Sequence, residues 1–451
     1  MKFDATTLAE AMGGTLLRDG PAGPVLTDTR TLVPGCWFLA LKGERFDGHD
    51  HVEKALEAGA VGCIVSRVDP AWTGGIVRVQ NTERALQDLG RFARRAFTGP
   101  VVGLTGSSGK TTTRALTALA LSPLGEVHQT VGNLNNHLGV PMTLVATPPE
   151  AAAMVVEMGT SSPGEIRFLA ELAEPDIRLI VNVGPAHLEE LGGLEGVAFE
   201  KGSIFRTAQP GDTVIVNADD PFVRAMEVSD GVRRITVGTS EGCDLRLASI
   251  EPHVTEFETR VRFETPEGPV MAALPMFGEH FAMDAGLALG AAWAAGADLK
   301  AAAAAMSKYE TVGMRMRIEQ LSGDVRVFND AYNANPASMK ASLDAFARMP
   351  GRRAAVLGDM YELGAREQRY HDELVAYADG LGLELLVLIG ERMGRAAASA
   401  VQTETWSSTD QADAGRRLSA WLMQGDQVLV KGSRGARTEK VLDALRVARE
   451  S

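Results

Sequence analysis

The sequence has few cysteines, a deficit of positive charge and no long apolar run. Its three cysteines, Cys36, Cys63 and Cys243, are too few and too far apart for a disulfide framework or a paired-cysteine metal site, so we expect a reducing compartment, the cytoplasm. Lys and Arg number 45 against 58 Asp and Glu, and this net charge of −13 opposes binding to nucleic acid or to an anionic membrane. The longest uncharged apolar run, Ala285–Ala297, is shorter than the roughly 20 residues that cross a bilayer, so we expect no membrane insertion. Acidic residues interrupt the N-terminal segment, and no export signal is expected.

At about 150 residues per domain, a chain of 451 residues predicts three domains. We place them at 1–98, 99–310 and 311–451. Short β-rich runs alternate with helix-length segments throughout, which is typical of βαβ units. We therefore predict an α/β protein with a small N-terminal α/β domain, a central domain with a doubly wound, mostly parallel sheet, and a C-terminal Rossmann-like domain.

Some segments carry sharper signals. Phe257–Phe263 alternates apolar and charged residues, which predicts an antiparallel strand that turns back at 266–268. The apolar run Leu179–Val183 predicts a strand of the central sheet, and the Ala-rich run noted above predicts a buried helix. Asn335 followed by Pro336 predicts a helix start, because Asn caps helices and Pro suits the first turn.

A glycine-rich turn lies between a predicted strand and a predicted helix, at Gly103–Thr112. Glycines let backbone N–H groups converge on an anion, the helix N-terminus adds positive potential, Lys110 supplies a charge for outer phosphates and Thr111 a hydroxyl for Mg²⁺. Leu104 stands where the strict phosphate-loop pattern has its first glycine. We expect a nucleoside triphosphate here, which by itself leaves a kinase, a motor, a switch or a ligase open. The expected nucleotide contacts are Thr105, Gly106, Ser107, Ser108, Gly109, Lys110, Thr111 and Thr112.

Further motifs narrow the choice. In order and spacing, Gly132–Leu144, Val155–Ile166 and Asn182–Phe205 resemble the ATPase domain of the Mur ligases. Within that family, Asp330–Met339 and Gly425–Arg434, together with the segment 356–364, resemble the branch that adds D-alanyl-D-alanine to UDP-N-acetylmuramoyl-tripeptide. The resemblance extends from residue 27 to residue 437. It implies those two substrates, with ATP and Mg²⁺, and we expect a monomer.

The resemblance also implies a metal and catalytic set. Glu157 and His187 each follow a predicted strand, so both should lie at the carboxyl edge of the central sheet beside the glycine turn. By resemblance they bind Mg²⁺ together with Thr111, and Lys201 is carbamylated by CO₂, which turns it into an anionic metal ligand or a partner of Lys110. The preceding residue, usually Ala in the family, is Glu200 here. The catalytic residues so implied are Lys110, His187, Lys201 and Arg315.

The third domain should close over the nucleotide. By resemblance, Arg315 meets the γ-phosphate and Asp330 the ribose hydroxyls, with Asn333 also at the nucleotide. His280 and Asp284 align with a His-x-x-x-Asn element that faces the base. Asp284 replaces the family Asn, and an ionised Asp accepts hydrogen bonds but cannot donate one.

The residues expected at the substrates by resemblance lie in four stretches. In the first domain, a Thr-Asp-Thr-Arg element and a Lys-Gly-x-x-x-Asp-Gly-His element would hold the UDP-sugar. Charged turns at the surface are the alternative interpretation of both. The expected residues are Thr29, Arg30, Lys42, Asp47, Gly48, His49, Asn133, Asn135, Asn136, Lys431, Ser433 and Arg434.

These motifs predict amide formation through an acyl phosphate. A related ligase, either another Mur ligase or a folylpolyglutamate-type enzyme, is an alternative, and Asp330–Met339 argues against it. A non-catalytic nucleotide switch is a second alternative. Glu157, His187 and Lys201 together argue against a switch, because a switch needs no second metal site for an acyl group.

Overall fold

A computed structural model describes residues 1–43 and 46–450, and it contains three sheets, each covered by its own helices. The first sheet has the order β1-β5-β4-β3-β2, in which β1 is antiparallel to β5 and the other pairs are parallel. The elements of this first unit are α1 (Ala5–Ala11), β1 (Thr15–Arg18), β2 (Val25–Leu26), β3 (Trp37–Leu39), α2 (Val52–Glu57), β4 (Gly62–Val65), β5 (Gly75–Arg78) and α3 (Thr82–Ala96).

The central unit is built on a nine-stranded sheet of order β14-β13-β12-β11-β10-β9-β6-β8-β7. Strands β6 to β12 pair with one another in parallel. Every residue of β6, β8, β9 and β10 is buried, as expected for strands covered on both faces. Its elements are β6 (Val101–Thr105), α4 (Lys110–Leu121), β7 (Val127–Gln129), α5 (Gly139–Ala146), β8 (Ala153–Glu157), α6 (Glu165–Ala173), β9 (Ile177–Ile180), α7 (Leu188–Leu191), α8 (Leu194–Arg206), β10 (Thr213–Asn217), α9 (Pro221–Arg224), β11 (Arg233–Gly238), β12 (Leu245–His253), β13 (Glu258–Thr265), β14 (Gly268–Leu274), α10 (His280–Ala294) and α11 (Leu299–Ala305).

The third unit has a six-stranded sheet of order β15-β16-β20-β17-β18-β19, in which only the β15–β16 pair is antiparallel. This confirms the predicted α/β fold with a Rossmann-like last part. Its elements are β15 (Arg317–Leu321), β16 (Val325–Asp330), α12 (Pro336–Ala347), β17 (Arg353–Gly358), α13 (Glu367–Asp379), β18 (Leu385–Ile389), α14 (Glu391–Ala396), β19 (Glu404–Ser408), α15 (Gln411–Trp421), β20 (Gln427–Lys431) and α16 (Glu439–Glu450).

Most of the sharper local predictions are confirmed. The alternating segment forms β13, which is antiparallel to both β12 and β14, although Phe257 lies before it at a positive φ of 52°. The Ala-rich run lies mostly in buried α10. Helix α12 begins at Pro336, and the side chain of Asn335 accepts a hydrogen bond from the Ser338 N–H at 2.8 Å. One strand end was predicted wrongly, because β9 stops at Ile180 instead of residue 183.

The part of the chain that the structure describes contains neither a disulfide bond nor a helix suited to span a membrane. All three cysteines are free thiols. Within residues 1–43 and 46–450, no helix combines the length and the apolar character needed to span a membrane.

The topology brings the second and third units together at one edge. Strands β6, β8 and β9 are parallel, so their carboxyl ends lie side by side under the glycine-rich turn. The carboxyl ends of β16 and β20 also pair, at Asp330 and Lys431. The Asn335 side-chain amide donates a hydrogen bond to Ser107 O at 3.4 Å, which places the start of α12 against the turn. A cleft between two sheet edges is a common place for a ligand.

The first unit depends on glycines around Trp37. This side chain is fully buried, and its indole N–H donates to Pro21 O at 2.9 Å. A Cβ at Gly75 would lie 2.4 Å from the ring, and a Cβ at Gly62 would lie 2.5 Å from it. We therefore predict that Gly75→Ala lowers the free energy of unfolding by about 1–3 kcal/mol, the usual cost of overpacking. Thermal denaturation of the full chain measures this.

The matched control is Gly394→Ala in α14. A Cβ there would meet Ser407 at 3.7 Å, an ordinary contact, and Ala is the better helix former. An equal loss of stability in both variants would contradict the packing argument.

Candidate active site

The glycine-rich turn connects β6 to α4 and is shaped by close packing. Gly109 has φ of +78°, and a Cβ there would lie 2.8 Å from an Asp284 carboxylate oxygen, so this position requires glycine on both counts. Lys110 begins α4, and its ammonium group donates to Gly106 O at 2.8 Å. The N-terminus of α4 and the Lys110 charge therefore face the same side of the turn, as an anion site requires.

A cavity of about 760 Å³ opens beside this turn, between the second and third units. It brings together most of the predicted nucleotide residues from both units. Its lining includes Ser107, Ser108, Gly109, Lys110, Thr111, Thr112, Asn133, Asn135, Glu157, His280, Asp284, Arg315, Asp330, Asn333 and Lys431. Thr105 ends β6, buried below the turn, and Gly106 follows it.

Glu157 is the buried acid of the cavity, with 2% of its surface exposed. Its Oε1 accepts a hydrogen bond from the Asn135 amide at 2.9 Å and lies 3.5 Å from the Thr111 hydroxyl. Its Oε2 accepts from Arg114 Nη1 at 3.2 Å. Sequence reasoning missed Arg114, although its position four residues after Lys110, on the same helix face, was a usable signal.

The donor set suits one magnesium ion. The Thr111 hydroxyl and the Glu157 carboxylate are oxygen ligands of the kind that Mg²⁺ takes, with phosphate oxygens and water completing the shell. His187 is placed differently, since its Nδ1 lies 2.6 Å from Glu362 Oε2 in the third unit. Across the described residues, no three His, Cys, Asp or Glu side chains form a metal-binding group. The structure therefore fits a nucleotide-associated ion at Thr111 and Glu157, whereas the His187 side chain contacts Glu362 of the third unit.

Lys201 lies on α8 and is 2% exposed. Burial lowers its pKa well below 10.5, and the neighbouring positive charge of Lys110 adds to the effect. Burial also lowers the pKa of Lys110. Glu200, the residue that departs from the family pattern, accepts hydrogen bonds from the Gly164 and Ile166 N–H groups at 2.7 Å each, so it ties α8 to the start of α6.

The third unit contributes three charged side chains to the cavity, Arg315, Asp330 and Lys431. The Arg315 guanidinium stacks on the ring of Tyr332, 3.7 Å from its centroid. Asp330 accepts hydrogen bonds from Lys431 Nζ at 2.6 Å and from the Ser342 hydroxyl at 2.7 Å, so the residue predicted for the ribose and the one predicted for the dipeptide are ion-paired with each other. Lys431 also donates to Asn333 O at 3.2 Å. Tyr332 was missed, although it lies inside the quoted Asp330–Met339 motif.

Two residues predicted for the dipeptide serve other contacts. The Ser433 hydroxyl donates to Ala334 O at 3.1 Å and accepts from Tyr361 N–H at 3.2 Å, so it is engaged within the third unit. Arg434 is exposed and pairs with Glu439 at 2.8 Å.

His280 and Asp284 lie one turn apart on α10. Burial raises the pKa of Asp284 to about 7, and its carboxyl accepts a hydrogen bond from the Thr113 hydroxyl at 3.0 Å. Burial lowers the pKa of His280 to about 4. His280 is therefore neutral at pH 7, and Asp284 is largely neutral at about pH 6 and below. A neutral carboxyl can donate as well as accept, which restores the hydrogen-bonding capacity of the Asn that it replaces.

The predicted substrate residues of the first unit lie near its surface. Arg30 pairs with Asp28 at 2.6 Å and is 85% exposed, and Thr29 lies between them. Lys42 is exposed, while His49 is buried, with its Nδ1 2.5 Å from Asp47 Oδ1 and its Nε2 accepting from Ser66 N–H at 2.8 Å. His49 therefore holds the turn in which Lys42 lies. Residues 44 and 45 of this motif lie outside the described residues.

Gly48 and Asn136 have local roles. A Cβ at Gly48 would lie 2.6 Å from Leu41 O, so only glycine fits that turn. Asn136 Oδ1 accepts from the N–H groups of Leu138 and Gly139, at 3.2 and 2.9 Å, and so stabilises the start of α5. Neighbouring Asn133 and Asn135 line the cavity.

The shifted pKa of Asp284 predicts a pH-dependent stability. A carboxyl whose pKa rises from 3.8 unfolded to about 7 folded favours the folded state fully below pH 3.8, and this contribution is lost as the pH rises to about 7. At pH 8 the buried carboxyl must ionise at a cost in folding free energy, and the amide introduced by Asp284→Asn would not have this cost. We therefore expect Asp284→Asn to raise Tm more at pH 8 than at pH 4.5, by roughly 2–4 °C for each kcal/mol of folding free energy that is recovered. His280 acts in the opposite sense between about pH 4 and 6.5, but it is present in both proteins and cancels in the difference.

Differential scanning fluorimetry at the two pH values measures this difference. Exposed Asp230→Asn is the control and should change Tm equally at both. The same equal change in Asp284→Asn would mean that the carboxyl is already ionised in the folded protein at pH 4.5.

Comparisons with known proteins agree with this architecture. Three family models match in sequence order: "Mur ligase family, catalytic domain" at residues 24–94, "Mur ligase middle domain" at 104–292 and "Mur ligase, glutamate ligase domain" at 314–434. The chain is 36% identical to the UDP-N-acetylmuramoyl-tripeptide--D-alanyl-D-alanine ligase of Escherichia coli (strain K12), over 93% of both chains.

Two solved structures are similar along nearly their whole length. The chain superposes on MurF from Acinetobacter baumannii with a TM-score of 0.89 and 31% identity, covering 100% of this chain and 99% of that one. For the MurF ligase from Thermotoga maritima in complex with ADP, the TM-score is 0.81 and the identity 29%, covering 95% and 98%. Sequence identity and coverage of this extent show common descent, and the chain belongs to the Mur ligase family.

Proposed function

We propose that this chain joins D-alanyl-D-alanine to UDP-N-acetylmuramoyl-tripeptide with ATP, giving UDP-N-acetylmuramoyl-pentapeptide, ADP and phosphate for peptidoglycan precursor synthesis. The relatives named for this activity support the choice of substrates. The observation that carries the proposal is the cavity between two units, where Lys110 beside the phosphate loop faces Arg315 from the opposite side.

The chemistry needs cations because two anions must meet. A tripeptide carboxylate oxygen attacks the γ-phosphorus of ATP, the bond to the β-phosphate oxygen breaks, and ADP leaves behind an acyl phosphate. Lys110 and Arg315 offset the negative charge at this step, and the effect of Lys110 is strengthened by its partial removal from water. The dipeptide amine then attacks the acyl carbon, loses a proton and expels phosphate.

The magnesium ion belongs with the nucleotide in this proposal. Thr111 and Glu157 would hold it, and Mg²⁺ at that position would neutralise phosphate charge and polarise the transferred group. Arg114 and Asn135 keep the Glu157 carboxylate oriented towards the cavity through their hydrogen bonds. We keep His187 as a candidate ligand that would have to leave Glu362 first.

The third unit would protect the acyl phosphate from water. Contacts that hold it against the central unit include Asn335 with Ser107, the Leu188 N–H with Glu362 O at 3.0 Å, and Arg348 with Glu279 at 2.5 Å. We assign the UDP-sugar to residues 1–98, ATP to 99–310 and closure to 311–451. Free thiols and the use of ATP are consistent with our proposal of a monomeric cytoplasmic enzyme.

One assay separates this function from its alternatives. Pure protein is incubated with ATP, Mg²⁺, UDP-N-acetylmuramoyl-tripeptide and either D-alanyl-D-alanine or single amino acids, and phosphate release and product mass are measured. We expect phosphate release that requires the dipeptide and a product heavier by one dipeptide less water. Lys110→Ala should lose at least about 100-fold in rate, since one charged stabilising group contributes several kcal/mol.

Other outcomes reassign the chain. Stimulation by a single amino acid would indicate a sibling ligase. Nucleotide binding without bond formation under any of these conditions would indicate a switch.

We also propose that Lys201 reacts with CO₂ to form a carbamate, with release of one proton. Its lowered pKa supports this, because the neutral amine is the nucleophile and burial favours the neutral form. The product carries a negative charge beside Lys110, whose own positive charge disfavours an ammonium group at Lys201 and would favour the carbamate. Only the modified, negatively charged side chain of Lys201 could therefore act as a metal ligand or as a partner of Lys110.

Replacement of the lysine tests the carbamate. We expect Lys201→Ala to lose most of its activity and to regain part of it when formate or acetate supplies a carboxylate. Lys110→Ala is the control that neither acid should rescue. Full activity of Lys201→Ala without an additive would rule the carbamate out.

A further inference from the structure

Asn182 follows β9 and contacts the glycine-rich turn with its whole side chain. Its Oδ1 accepts hydrogen bonds from Ser107 N–H at 3.2 Å and from Ser108 N–H at 3.0 Å. Its Nδ2 donates to Ser108 O at 3.2 Å, and its own backbone O accepts from Ser107 N–H at 3.1 Å. A side-chain amide can accept and donate at once, which these contacts require.

Asn182 is itself held in place from both sides. The residue before it, Val181, accepts a hydrogen bond at its O from the Asn217 amide at 2.8 Å. The residue after it, Val183, donates its N–H to Asp220 Oδ2 at 2.8 Å. Both partners belong to the end of β10 and the turn after it, so a second strand end fixes the backbone that carries Asn182.

The turn lies directly on this segment. A Cβ at Gly106 would lie 2.8 Å from Val181 Cβ, so no side chain fits between them. The Ser107 hydroxyl donates to Gly184 O and accepts from Gly184 N–H, both at 2.9 Å. Residues 181–184 therefore support residues 106–108 through packing as well as through hydrogen bonds.

The contacts divide the turn into two parts. All four residues from Ser107 to Lys110 line the cavity, but the N–H groups of Ser107 and Ser108 donate to Asn182, whereas Gly109 and Lys110 lie at the N-terminus of α4. The N–H groups of Ser107 and Ser108 thus fix the shape of the turn, and the N-terminus of α4 with Lys110 is left to bind a phosphate group.

We propose that Asn182 is a positioning residue that holds Gly106–Ser108 in the shape that presents Lys110 and the N-terminus of α4 to nucleotide phosphates. The proposal rests on the proposed function only in taking a nucleoside di- or triphosphate as the ligand. Asn182 acts through the turn and touches no reacting atom. Its effect should therefore appear in nucleotide affinity and leave the affinity for the peptide substrate unchanged.

Calorimetry with ADP and Mg²⁺ on the full chain tests this. We expect Asn182→Ala to raise the Kd of ADP by about tenfold or more, equivalent to at least about 1.4 kcal/mol. The KM for ATP should rise in parallel and the KM for the UDP-linked tripeptide should stay constant. Because Asn182 is only half-buried, the variant should fold, and Tm should fall by no more than a few degrees.

Two further variants keep the test decisive. Asn182→Asp keeps the acceptor but loses the donor to Ser108 O and adds a negative charge, so it should bind ADP more weakly than Asn182→Ala, with the difference shrinking at high salt. Asn81→Ala removes the N-cap of α3 in the first unit and should leave ADP affinity unchanged.

Unchanged ADP binding by Asn182→Ala would overturn the proposal. Tighter binding would overturn it in favour of a different role, in which Asn182 occupies donors that phosphate oxygens need. Failure of the ligase assay with the parent protein, combined with weaker ADP binding by Asn182→Ala, would remove the proposed function and leave this inference in place.

Discussion

Positively charged side chains in and beside the cavity are shielded from water, and much of the site follows from this. Burial lowers the pKa values of Lys110, Arg114 and Lys201, and Glu157 is the buried carboxylate that faces Lys110 and Arg114. Buried charges are costly unless they are paired. A triphosphate would supply several negative charges at this place, within a chain whose net charge is −13. The cavity is therefore suited to an anion that the rest of the surface would repel.

A raised pKa at the carboxyl of Asp284, beside the loop, also suits a site for an anion. Asp284 lies against Gly109, and an ionised carboxylate there would oppose a phosphate group. Burial raises the pKa of Asp284 to about 7, so about half of the molecules keep a proton on this group at neutral pH and most do under mildly acidic conditions. Replacement of an amide by a carboxyl is chemically mild when the carboxyl stays protonated. Hydrogen bonds from the ends of β9 and β10 complete the support of the loop on its other side.

The third unit adds Arg315 to the cavity, and in the proposed function this cation would approach the nucleotide from the side opposite Lys110. The stack on Tyr332 limits the conformations of Arg315, so less side-chain entropy would be lost if the guanidinium engaged a phosphate, as we propose. The ion pair between Asp330 and Lys431 links β16 to β20 and stabilises the base of the same cavity. A ribose at Asp330 would share that carboxylate with Lys431. Contacts between the two units join the loop directly to α12.

By itself, the sequence determined the features that depend on neighbours along the chain. These include the strand, turn and helix around Lys110, the cap at Asn335, the β13–β14 hairpin and the motif order that identifies the family. The end of β9 was predicted wrongly because Val181 and Val183 are apolar, and their hydrogen bonds to Asn217 and Asp220 leave no trace in the pattern.

Only the tertiary structure decided which side chains are partners. Lys431 was predicted for the dipeptide and pairs with Asp330, 101 positions away. His187 was predicted for the metal and lies against Glu362 of another unit, and Asn182 meets the loop 74 positions before it. Partnerships of this range depend on how three sheets pack together. Local periodicity carries no information on that packing, because it records which face of an element is buried and not what buries it.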